Sequence, residues 1–294
     1  MLGHVLVYVR LLVIRVFLLL LCFPGSLFAE EFILRLGDDE YFPTLLEAAL
    51  KEADGDHTLT TYRFPEQIPQ QRAFRSLKKE NGIINVLYTG HSIEREQSYA
   101  QVDIPLTRGL LGYRMMVLKD ENLHLLKNIS SLDDIIQNID VGSGTYWPDT
   151  KILKAAGFKV FTGDHPYLWP MLMYGRFTAF PRGLSEVSVE LDMLKDDPLA
   201  ERLVIEKNIL LYYKFDHFFY LAKDDTVRAA IIEQGLKRLY ENGKFMEIFM
   251  KAGFYKEAQK LVGDHPKHVF ELANPLLSEK VQAIPDQYWH NFHD

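Results

Sequence analysis

The run Ile83 to Tyr88 reads IINVLY and is almost wholly apolar. A strand of that composition is buried on both faces and needs a layer of structure against each of them. The flanking sequence supplies such layers. Phe32 to Leu36 predicts a strand, and Pro43-Thr44 opens a helix through about Ala53. His57 to Phe64 alternates as a second strand, and Gln67 to Glu80 predicts a helix ended by Asn81-Gly82. Strands alternating with helices imply an α/β architecture with a largely parallel sheet.

The same grammar restarts after residue 108. Leu110 to Leu118, Ile139 to Gly142, Lys159 to Thr162 and Phe177 to Phe180 read as strands. Between them lie helical patterns: one opened by Ser131-x-x-Asp134, one following Gly144-Thr145, and one over Pro166 to Tyr174. Leu203 to Phe215 and His217 to Ala222 predict strands separated by Asp216. Thr226 to Asn242, Lys244 to Ala252 and Tyr255 to Val262 then read as helices. No Gly/Ser/Pro-rich linker separates the two units, so they are expected as intimately connected lobes. The length of 294 residues suits two lobes.

The first 29 residues carry Arg10 and Arg15 but no acid. Val16 to Phe23 is an unbroken apolar run, broken by Pro24-Gly25-Ser26, and Ala29 precedes Glu30-Glu31. That order is the pattern of a secretory signal, with cleavage expected after Ala29. The run is too short to span a membrane alone. The one cysteine, Cys22, lies inside it, so neither a disulfide nor a cysteine-rich metal site is expected. The excess of 40 acidic over 33 basic residues argues against nucleic acid as a partner.

Several short motifs then occur in a telling order. Leu36-Gly37 is followed by Tyr41-Phe42-Pro43, and Thr89-Gly90-His91-Ser92 by Ile93-Glu94-Arg95-Glu96. Asp103-Ile104-Pro105-Leu106, Gly109 to Arg114, Asp140 to Thr145 and Leu239 to Gly243 come next. Their order from Phe32 to Tyr255 resembles the family 3 periplasmic solute-binding proteins, the amino-acid-binding group. Gly175-Arg176 with Phe180-Pro181-Arg182-Gly183 and Glu186 resembles a poorly characterised branch of it. The resemblance implies a type II periplasmic-binding-protein fold with two hinge crossings. It places lobe one at about 30–108 and 216–294, and lobe two at 109–215. Amino-acid-binding members usually hold the ligand ammonium with an aspartate near Arg182, where this chain has Pro181-Arg182-Gly183.

Candidate site residues follow. The Arg95 guanidinium offers a planar fork of donors that matches a carboxylate, and it follows a buried strand, where sites in α/β sheets gather. Gly142-Ser143-Gly144-Thr145 joins a strand to a helix. It is either an anion site of free N–H groups or simply a capped helix. Within the resemblance, Thr145 helps Arg95 from the opposite lobe. Arg182 either adds a second cation to the cleft, suited to a diacid, or pairs with Glu186 four residues on. Tyr41 and Trp147 sit in expected cleft loops and could sandwich a ligand or simply pack. His91, beside the ligand segment, could donate one hydrogen bond.

No Gly-x-Ser-x-Gly elbow, His-Glu-x-x-His or kinase loop occurs. His265-x-x-His268 and His290-x-x-His293 have possible ligand spacing but sit in a polar tail, so no metal and no cofactor is expected. The expectation is an exported periplasmic monomer that captures a small anionic solute for a membrane permease or sensor kinase. A lyase or dehydratase on the same scaffold, or a sensor-docking domain, is the alternative.

Overall fold

The computed structural model describes residues 29–37, 39–65, 68–77, 82–263 and 268–290. The expected signal segment and His265, His293 and their neighbours lie outside the described residues. Ahead of residue 108 come strands β1 (Glu31–Arg35), β2 (Thr58–Tyr62), β3 (Leu87–Gly90) and β4 (Ala100–Gln101). Next follow β5 (Tyr113–Lys119), β6 (Val141–Gly144), β7 (Val160–Gly163), β8 (Ala179–Gly183) and β9 (Leu203–Tyr212). The last two are β10 (His217–Leu221) and β11 (His268–Glu271).

In the first unit β1 and β2 pair in parallel, and a bridge from Leu34 to Val86 ties β1 to the approach of β3. Strand β10 runs antiparallel between β3 and β4. The apolar run 83–88 enters this sheet late. Ile84, Val86 and Leu87 are buried, whereas Ile83 precedes the sheet and is exposed. Helices Tyr41–Glu52 and Thr226–Glu241 pack against each other and, with Phe32, Leu34 and Phe219, form the core. Gly235 makes that contact possible: a Cβ there would lie 1.9 Å from the Ala49 carbonyl oxygen.

The second unit is one sheet in the order β11-β9-β5-β8-β6-β7. Strand β5 runs antiparallel to both β8 and β9, while β8-β6-β7 and β11-β9 are parallel. The sheet is therefore mixed. Strands β5 and β9 carry the chain into and out of the unit, so they traverse it in opposite senses. The Ser131 capping box forms as its residues predict, with Asp134 closing it back on the Ser131 backbone.

Two crossings join the units, one before β5 and one between β9 and β10. Asp216 pins them together from the fully buried interior. Its carboxylate accepts from the Thr107 N–H at 2.8 Å, the Gly109 N–H at 3.0 Å and the Thr107 hydroxyl. At Gly112 a Cβ would lie 2.1 Å from the Tyr213 carbonyl oxygen, so only glycine lets the crossings approach this closely.

The tail departs from its expected place in lobe one. Strand β11 extends the second sheet, because Val269 and Phe270 register against Leu210 and Leu211. The chain then returns. Leu272 N–H donates to Tyr212 at 2.7 Å, Ser278 Oγ donates to Glu96 at 2.5 Å, and Val281 and Ile284 bury among Phe74, Leu87 and Phe218. Residues 272–278 are thus a third connection between the units. No helix among the described residues is long and apolar enough to cross a membrane.

Candidate functional site

Arg95 sits on the short helix Ile93–Ser98, which Ser92 caps by accepting from the Arg95 N–H. The cap follows β3 directly, so the sheet sets where the guanidinium lies. Nη1 donates to the Gly90 carbonyl at 2.5 Å and the Thr89 hydroxyl at 3.2 Å. Nη2 donates to Gln70 Oε1 at 2.6 Å and, across to the other unit, to the Tyr146 carbonyl at 3.4 Å. All four acceptors are neutral. Among the described residues no carboxylate pairs with Arg95. Burial lowers its pKa from the ordinary value, but an arginine keeps its charge.

Arg182 is different. It lies on β8, buried, and its fork meets Glu190 twice, Nε to Oε2 at 2.7 Å and Nη2 to Oε1 at 2.6 Å. Glu186 adds a third contact at 3.0 Å. The guanidinium lies over the Trp147 ring, 4.7 Å from its centroid. Beside it, buried Arg114 pairs with Asp149 and, at 3.3 Å, with Glu186, and the Tyr213 hydroxyl donates to Asp149 at 2.5 Å. Two guanidiniums thus face three carboxylates. Burial alone would raise the Glu190 carboxyl, but Arg182 and His165 outweigh it and hold it at about 2.

Trp147 stands between these groups and Arg95. A Cβ on Gly144 would lie 2.4 Å from its indole, so the glycine makes room for the ring. The helix after this turn begins at Pro148, which has no N–H, and its first turn carries Asp149. The Asp149 carboxylate turns to Arg114 and Tyr213, and the Trp147 and Thr150 N–H groups donate to the Gly144 and Trp147 carbonyls. Thr145 is exposed, and its N–H donates to the Gly163 carbonyl at 3.0 Å.

Two expected cleft residues lie elsewhere. Tyr41 is buried in the first core, donates its hydroxyl to the Leu106 carbonyl at 2.6 Å and packs edge-on to Phe254. It opens a helix rather than standing in a loop, and the neighbouring Phe42 turns to the cleft with Tyr88, stacked at 3.8 Å. His91 is 1% exposed and bonds Gln101 at 2.8 Å, and it lines none of the cavities described below.

Gln70, Asp149, Glu190 and His217 are site residues that sequence reasoning missed. Glu186 stands at the N-cap and Glu190 in the first turn of an unexpected helix, Val187–Met193, and that acid pair four apart was the available signal. Gln70 and His217 carry none. Cavities flank the line from Arg95 to Arg182. One of about 480 Å³ opens past Arg95, Phe74, Trp147 and Leu276. Another of about 430 Å³ lies over Thr89, Gly144, Thr145, Trp147, Arg182 and His217. Residues of both units line each.

No protein-family model matches the chain, and no curated protein matches it. Solved structures do. An ancestral arginine-binding protein bound to arginine is 17% identical with a TM-score of 0.53, and the match covers 76% of this chain and 98% of that one. A histidine kinase sensor domain with similarity to periplasmic binding proteins is 13% identical with a TM-score of 0.56, covering 76% and 96%. The chain has the type II periplasmic-binding-protein fold. A third match, covering 76% and 95%, is an ancestral amino-acid-binding protein described as a precursor of cyclohexadienyl dehydratase, at 12% identity and a TM-score of 0.53. In this fold two lobes flank a cleft, and here Arg95 and Trp147 face each other across it.

Proposed function

We propose that the chain is an exported, periplasmic solute-binding protein that captures a small solute through one acidic group between its lobes. The observation that carries this reading is the pairing of the arginines. Arg182 and Arg114 are neutralised within their own lobe, whereas Arg95, on the wall of the 480 Å³ cavity, donates only to neutral acceptors. A half-buried cation with no carboxylate in contact favours an anion that arrives from outside. A monoacid fits this balance better than the diacid that two free arginines would suit.

Capture and lobe movement complete the function, with no chemical step. Contacts from both lobes to one solute favour the state in which the lobes embrace it. A membrane permease or a sensor kinase reads that state. The similarity to an arginine-binding protein and to a kinase sensor domain supports solute capture and is compatible with either reader.

Isothermal titration of residues 30–294 against small monocarboxylates and amino acids tests the reading. Arg95→Ala is expected to weaken binding by about 1.5–3 kcal/mol, the scale of a charged hydrogen bond. An affinity that survives Arg95→Ala unchanged would sink the assignment.

A further inference from the structure

On the far side of His217 the cleft opens into a third cavity of about 490 Å³. Its walls are Phe42, Tyr88, Trp169, Pro170, Met173 and Met193. These are aromatic and thioether side chains from both lobes, and Met193 is 56% exposed at the mouth. Methionine fills irregular apolar contacts and adapts to what it meets. The cavity shares Glu186 and His217 with a narrow neck of about 50 Å³ that Arg95 and Trp147 also line.

Two further observations point to a ligand here. Ser185, 7% exposed, and His217 line this cavity, and the buried Ser185 hydroxyl and His217 Nδ1 have no hydrogen-bond partner among the described residues. Buried polar atoms are paired in most proteins, so a hydrogen-bonding group belongs beside them. Burial holds the His217 imidazole neutral, with its pKa near 3, so that group is uncharged. The rim carries Asp39 and Asp197 besides Glu190, which repels a second anionic group.

We propose that the solute is a monocarboxylate with an apolar body, its acid at Arg95 and its body in the Trp169–Met193 cavity. This rests on the function proposed above and names the substrate class of the same site. An uncharged polar group at the neck, against Ser185 and His217, completes the match.

Titration of residues 30–294 with butanoate, hexanoate, octanoate and decanoate tests it. Affinity is expected to rise about fourfold for each added methylene that enters the cavity. Met193→Glu is expected to flatten that slope, and Met173→Ser to reduce it. Arg95→Ala is expected to weaken every member of the series. Binding of butanoate with no dependence on chain length would overturn the apolar-body inference while leaving the acid site standing. Silence from every acid would overturn the reading on which it rests. Octanoate binding that ignores Arg95→Ala would overturn the joint assignment. Loss of vesicle binding in Met193→Glu, without any chain-length slope, would give the cavity to a lipid surface instead.

Discussion

Arg95 and Arg182 present the same guanidinium in opposite circumstances. Removing Arg182 would leave Glu190 and Glu186 buried beside an apolar wall without their main counter-charge. Breaking such a pair from one side costs about 3–5 kcal/mol. Arg182→Ala is therefore expected to lower the urea midpoint sharply. An unchanged midpoint would show that the fork contributes nothing. The same contacts make an acid-sensitive signature. Glu190 is held at about 2 against an ordinary value of 4.5, so its contribution is complete above 4.5 and fades as the pH falls towards 2. The difference in stability between the parent chain and Glu190→Gln is expected to be largest near neutrality, on the order of 3 kcal/mol, and to close towards pH 2. The place of Arg95 at the cleft was legible from its position after a buried strand. Of the partners of Arg182, Glu186 was legible four residues on, but Glu190 was not, because a turn at Gly183–Glu186 separates β8 from the helix that bears it. Eight residues of separation across a turn carry no fixed geometry.

Elements show the same division. Most strands and helices were readable from periodicity, and the Ser131 box marked its helix correctly. The strand β11 was not readable, since His268–Glu271 is half polar and gains its place by completing the edge of β9. Nor was the exact start of the helix after β6. Pro148 sets it, and the turn before it exists to seat Trp147. Gly144→Ala tests this turn. The new methyl group meets the indole at less than contact distance, so the ring must move. Overpacking of this kind costs about 1–3 kcal/mol. Solute affinity is expected to fall at least roughly tenfold, the equivalent of about 1.4 kcal/mol, with a change in tryptophan emission. An unaltered affinity would remove Trp147 from the site.

For the whole molecule, the alternation of strands and helices sufficed to foresee two lobes, whereas the path of the tail depended on contacts far apart in the chain. Val281, Ile284 and Leu272 are each nearly fully buried. Side chains of that kind contribute about 1.5–3 kcal/mol each. A chain ending at residue 263 is expected to lose at least about 4 kcal/mol in a urea titration. Retention of the full midpoint would mean that the tail merely rests on the surface.

The third connection has a mechanical meaning. Two neighbouring crossings let rigid bodies both bend and twist, while a further tether at 272–278 shortens the travel of either motion. The lobes also touch at Arg95 to Tyr146 and at Glu94 to Lys151, 2.5 Å apart. A leashed clamp has a short stroke. Less of the solute's intrinsic affinity is then consumed in moving the lobes, and the radius of gyration from X-ray scattering is expected to change little on saturation. A protein that reads this one must sense the rim of the cleft, because the swing it could otherwise detect is short.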